Sequence, residues 1–251
     1  MGKLGQLRKL GVKNSSKETV RALYASIEKM NYLQYLDITS IGEDEVIDLQ
    51  SISSPPQCLQ QLHIKGHLEK LPVWISKFHL VIIEIFWSRL NDDPLEVIQN
   101  LPSLLVLRIS CQAYNGEQLH FKIGGFLKLK ELYLHHLNIL HSLMIDEGAL
   151  SLLENLSIGP CLKLKEVPSG IQRLRNLKML EFFDSPKNSK KVWILIKDHI
   201  TSSLSLYQPF ISITRFVQVI MAMTPTFFVP SIWRGQEGKQ STRMIARISM
   251  L

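Results

Sequence analysis

The pattern Leu-x-x-Leu-x-Leu, with Ile, Val or Phe admitted at its last two apolar positions, fits this chain eight times and constrains its fold more than any other feature. It begins at Leu7, Leu33, Leu59, Leu80, Leu104, Leu129, Leu153 and Leu177, at intervals of 26, 26, 21, 24, 25, 24 and 24 residues. Chance matches in a leucine-rich chain would not keep such even spacing. The last two apolar residues of each unit, such as Leu62 and Ile64 or Leu107 and Ile109, stand two apart. Both therefore point to one face of a short strand, and the residue between them points to the other. One unit has too few inward side chains to offset the cost of ordering its backbone, so units must stack and cover one another.

Intervals of roughly 20–29 residues are those of leucine-rich repeats. The expected fold class is α/β: a leucine-rich-repeat solenoid, or horseshoe, with a short-stranded parallel sheet on the concave face and irregular coil or short helices on the convex face. Residues 15–30 read as a helix, with Ser15-x-x-Glu18 as a capping box and Val20, Leu23, Tyr24, Ile27 and Met30 on one stripe. Asp93-Pro94-Leu95-Glu96 reads as a second helix start. Leu71-Pro72-Val73-Trp74-Ile75 and Val167-Pro168-Ser169-Gly170-Ile171 read as matching returns whose prolines favour extended or turning backbone.

Charge and leucine content divide the chain at the same point. The whole net charge of +7 lies in residues 187–251, where nine Lys and Arg face Asp198 and Glu237; residues 1–186 balance to zero. Leucine falls from 35 in residues 1–186 to 4 afterwards. We therefore expect a repeat domain over 1–186, with about eight repeats, and an atypical basic and apolar tail over 187–251. The main body has no net field to draw in polyanions, so nucleic acid is not an expected partner. In the tail, residues 216–233 carry no charge, but Pro225, Pro230 and Gln218 argue against a membrane span. Cys58, Cys111 and Cys161 are too few and too scattered for a disulfide scaffold, and the opening MGKLGQLRKLGV lacks the apolar run of a secretion signal. The expected location is cytoplasmic.

Residues flanking the inward positions face the concave surface, where a binding site would lie. We assign protein binding to Tyr35, Asp37, His63, Lys65, Glu84, Phe86, Arg108, Tyr133 and His135. Thr39, Gln61, Ile82, Val106, Ser110, Glu131, Asn155, Ser157, Gly159, Met179, Glu181 and Phe183 complete the same surface. At about 4.8 Å between strands, eight strands extend roughly 35 Å, enough for a standard interface of some 800 Å² per partner. Aromatic residues and Arg among mixed charges match an interface core and rim better than a catalytic pocket.

Catalysis has no visible carrier. No paired carboxylates share one element at a spacing suited to acid–base work, and Glu43-Asp44-Glu45 and Asp92-Asp93 read as a solvated loop and a helix cap. His135, His136 and His141 form the only histidine cluster, yet adjacent histidines on a strand point to opposite sides, so no metal is expected. Cys161 reads as a small turn residue packed between coils. The turn position it fills is met by Ser88 and Ser185 elsewhere, and by Ile41, His67, Gln112 and Leu137 in other coils, which predicts a broken side-chain ladder and irregular curvature. The string Gly235-Gln-Glu-Gly238-Lys239-Gln240-Ser241-Thr242 has the wrong spacing for a phosphate-binding loop, so no cofactor is expected.

Three runs carry a resemblance to a known family: WSRLNDDPLEVIQNLPSLLVLRI over 87–109, AYNGEQLHFKIGGFLKLKELYL over 113–134, and EGALSLLENLSIGPCLKLKEVPSGIQRLRNLKMLEF over 147–182. The chain resembles the C-terminal repeat region of plant intracellular nucleotide-binding leucine-rich-repeat disease-resistance proteins of the coiled-coil type, in truncated form without the nucleotide-binding domain. The resemblance implies a non-catalytic recognition module in defence. Its implied partner is a pathogen effector, a guarded host protein, or the nucleotide-binding domain of a receptor. Two alternatives stay open: a non-functional truncated gene product, or a protein associated with membrane or nucleic acid through its basic tail.

Overall fold

The computed structural model of the chain describes residues 6–14, 17–42, 45–185 and 188–195. Each of the eight sequence units forms a strand: β1 (Lys9–Asn14), β2 (Tyr35–Ser40), β3 (Gln61–Lys65), β4 (Ile82–Phe86), β5 (Val106–Ser110), β7 (Glu131–His135), β9 (Asn155–Ile158) and β10 (Met179–Ser185). Two further strands, β6 (Gln118–Phe121) and β8 (Ser142–Ile145), lie in the connections, and β11 (Asn188–Leu195) follows β10. Among the described residues, nine strands make one sheet in the order β1-β2-β3-β4-β5-β7-β9-β10-β11. All neighbours pair in parallel except β10 and β11, which are antiparallel. The closing strand lies past residue 186, and residues 196–251 lie outside the described part, as do the uncharged run and the glycine string noted above.

The register explains why the repeat seals. Leu36, Leu62, Ile83, Leu107, Leu132, Leu156 and Leu180 stand opposite one another on consecutive strands. None is more than 1% exposed. Two positions on, Ile38, Ile64, Ile85, Ile109, Leu134, Ile158 and Phe182 form a second buried column in the same core. The leucine that opens each unit from Leu33 onward closes the core from the third side. Identical positions meet because the parallel pairing shifts each strand by one whole unit.

The opposite wall is coil and short helices, as expected, with one small sheet added. Helix α1 spans Lys17–Ile27, shorter than the stripe suggests, although Tyr24, Ile27 and Met30 are buried as the stripe requires. Ser15, the expected cap, lies outside the described residues. Helix α2 is a single turn, Leu95–Ile98, with Asp93 Oδ1 accepting the Leu95 N–H at 2.8 Å. The two proline returns lead into 3-10 turns at Val73–Lys77 and Ile171–Arg173. Strands β6 and β8 pair in parallel as a second small sheet. Leu119 and Phe121 on β6, and Leu143 and Ile145 on β8, alternate inward into the core.

Neighbouring coils are stapled on this wall by side chains one unit apart. The Glu28 carboxylate accepts the Ser53 and Ser54 N–H groups, Trp74 Nε1 donates to Leu49 O at 3.1 Å, and Asn176 Nδ2 donates to Ser151 O at 2.6 Å. Gly170 holds a tighter junction, with φ of +87° and an added Cβ only 1.9 Å from Ile145 O.

Candidate protein-binding surface

At the strand ends the chain leaves the concave face through left-handed backbone. Gly66, Trp87, Cys111, His136 and Gly159 all have positive φ and follow successive strands. Backbone bonds cross this turn from coil to coil: Gly66 N–H to Phe86 O at 3.0 Å, Trp87 N–H to Cys111 O at 3.0 Å, and Cys111 N–H to His135 O at 2.9 Å. These main-chain bonds connect the coils where the turn side chains are mismatched. Ser88 is fully buried and donates its hydroxyl to Phe86 O, Leu137 is also buried, whereas Ile41 is 63% exposed. Cys161 donates weakly to Leu134 O, and burial pushes its thiol up to about 11, away from thiolate chemistry.

The concave face carries three outward-facing rows in register, of which the middle one is polar throughout. The middle row runs Asp37, His63, Glu84, Arg108, Tyr133, Ser157, Glu181 on seven consecutive strands. Tyr35 and Glu131 lie in the row before it; Lys65, Phe86 and His135 lie in the row after. All nine residues assigned from the sequence are therefore on one surface.

The side chains of this surface bind one another laterally. Asp37 accepts Lys65 Nζ at 3.0 Å and Thr39 Oγ1 at 3.1 Å. Burial pushes the Asp37 carboxyl up, but these donors together outweigh it and hold it below the ordinary range. Glu84 sits between donors from the two neighbouring strands, with His63 Nδ1 at 2.9 Å and Arg108 Nη1 at 2.7 Å. The His63 hydrogen bond is the main cause of its lowered pKa. The Arg108 guanidinium then lies 4.4 Å from the centre of the Tyr133 ring, a cation–π contact. Tyr133 donates its hydroxyl to Glu131 at 2.8 Å.

A second chain ends the row. Ser157 donates its one hydroxyl proton to Glu181 at 2.7 Å, so His135 Nε2, 2.8 Å from the same oxygen, must carry the hydrogen of that contact. Tyr35 packs its ring 4.8 Å from His63, whose Nε2 is buried without a hydrogen-bond partner. On the border where the strands begin, Glu154 bridges Lys130 at 3.0 Å and Lys178 at 2.6 Å. The result is a surface of pre-positioned charges and rings rather than a pocket.

Trp87 belongs to the surface although the sequence pattern misses it. It follows Ile83 and Ile85 at the inward spacing, but its φ of +54° turns the ring out, and it is 54% exposed beside Phe86. The position of the neighbouring Gly66, also left-handed, is the signal available in sequence. His136 leaves the strand at a left-handed turn, and His141 lies 3.7 Å from Glu117 on the opposite wall, so the three histidines do not converge. Among the described residues no three His, Cys, Asp or Glu side chains are placed to hold a metal, and no helix is long and apolar enough to cross a membrane.

A family profile described as leucine-rich repeat region matches residues 1–191. Among curated proteins, the chain is 30% identical over 181 residues to disease resistance protein RPM1 of Arabidopsis thaliana, covering 72% of this chain and 19% of that protein. It is 25% identical over 195 residues to disease resistance protein RPP8 of the same plant, covering 76% of this chain and 21% of that protein. The chain thus spans about one fifth of the length of these relatives.

Proposed function

Since the chain belongs to the leucine-rich repeat family, we propose that its concave sheet is a protein-recognition surface working in plant defence, in the cytoplasm and without catalysis. The relatives named as disease resistance proteins support the setting. The partner is a pathogen effector, a host protein that an effector alters, or the nucleotide-binding domain of a receptor.

One observation carries the reading. Side chains from seven strands are tied into lateral pairs, so Arg108, Tyr133 and Tyr35 are ordered before any partner arrives. A partner then meets aromatic and guanidinium groups whose ordering cost is already met within the fold, which favours affinity. The test is a pull-down from plant extract with the full chain and with a variant carrying Tyr35→Ala, Arg108→Ala and Tyr133→Ala. Partners retained by the parent should be lost by the variant while its circular dichroism is unchanged. Equal recovery by both baits overturns the assignment of these residues.

A further inference from the structure

We infer that the anchor of this surface is the Phe86–Trp87 pair, flanked by Lys65 and Arg108, and that it takes an acidic polypeptide segment carrying one aromatic or aliphatic side chain. The inference rests on the recognition reading and narrows it to one partner chemistry.

Trp87 contributes nothing to the core that its spacing would assign it to. The two rings lie 5.9 Å apart at the border where the strands end, and the indole is 54% exposed. Its left-handed backbone costs any side chain roughly 1–2 kcal/mol, a cost that Cys111 and His136 also bear at the same turn and that Gly66 avoids in the coil before. A large apolar ring held outward despite that cost, beside a second exposed-side aromatic, has the character of an interface anchor.

The charge around it has a sense. Phe86 stands opposite Lys65 on β3 and Ser110 on β5, and Arg108 is two residues before Ser110. The Lys65 and Arg108 side chains are 34% and 38% exposed, whereas the carboxylates they hold, Asp37 and Glu84, are 18% and 13% exposed. The cations are the more exposed partners of both pairs, so an approaching chain meets their positive groups first, beside an aromatic pair. A carboxylate-bearing segment complements the cations, and one apolar side chain on it completes the contact with the rings.

Random short peptides displayed on phage and selected on the full chain test this. The selected sequences should place Asp or Glu beside an aromatic residue or Leu. A synthetic consensus peptide should bind at least about tenfold more weakly to Trp87→Gly and Phe86→Ala chains, and more weakly as salt is raised. Glycine is at ease at this φ, so Trp87→Gly keeps the fold, which thermal unfolding checks. Selected peptides without acidic residues, equal binding to Trp87→Gly, recovery of no binder, or Trp87-dependent self-association in sedimentation would each overturn the inference. Binding lost on Tyr133→Ala but kept on Trp87→Gly sinks this anchor and leaves the broader recognition reading standing; insensitivity to both sinks both.

Discussion

Glu84 accepts from donors on the strands either side of it, His63 and Arg108, which makes it the side chain on which the middle row most depends. Glu84→Gln leaves both donors poorly matched in a mostly covered site, and should lower stability by about 1–3 kcal/mol in urea unfolding. The effect has a pH window. Because the His63 hydrogen bond holds this carboxyl below the ordinary range, its contribution is complete above the unfolded value near about 4.3. It is lost as pH falls through the lower folded value. The gap between parent and Glu84→Gln should therefore be present above the ordinary carboxylate range and close as pH falls below it; a gap that persists at pH well below the folded value contradicts the pairing. Gly170→Ala meets a different limit, since its Cβ would overlap Ile145 O at a left-handed φ. It should cost at least about 2 kcal/mol, read as a lowered melting temperature.

Elements show where pattern is informative and where it is not. The eight strands are legible because two inward residues per unit at period two leave no other face for them, as with Leu132 and Leu134 on β7. Helix α2 is legible only at its start: Asp93 caps it as its sequence suggests, but the turn ends at Ile98, where the coil must return towards Leu104. Strands β6 and β8 were hidden because Leu119 and Phe121, or Leu143 and Ile145, are alternations of four residues that acquire meaning only when the two coils lie side by side. Asp93→Ala should cost about 1 kcal/mol by loss of the cap, less than Leu132→Ala in the central column, for which about 2–5 kcal/mol is expected. Thermal unfolding of the two variants ranks them; the reverse order would mean that α2 holds the stack together more than the column does.

The molecule as a whole is a row of coils in which each touches chiefly its neighbours, so damage should spread by adjacency. In Leu132→Ala, amide hydrogen exchange should quicken most in β5, β7 and β9 and least in β2 and β3; uniform acceleration would mean one cooperative unit instead. Period and register are properties of the residues alone: Leu-x-x-Leu-x-Leu at two-dozen spacing admits little besides a parallel stack, and alternation alone assigned Arg108, Tyr133 and the other seven candidates to one face. Which of those side chains pair with one another was decided only in three dimensions. Which carboxylate meets which cation depends on pairing between residues 21 to 28 apart, as in His63 with Glu84 or Asp37 with Lys65, and local sequence carries no record of such contacts. The same holds for Trp87, which alternation sends inward and a single left-handed backbone angle turns to water, because side-chain direction follows φ wherever a strand ends.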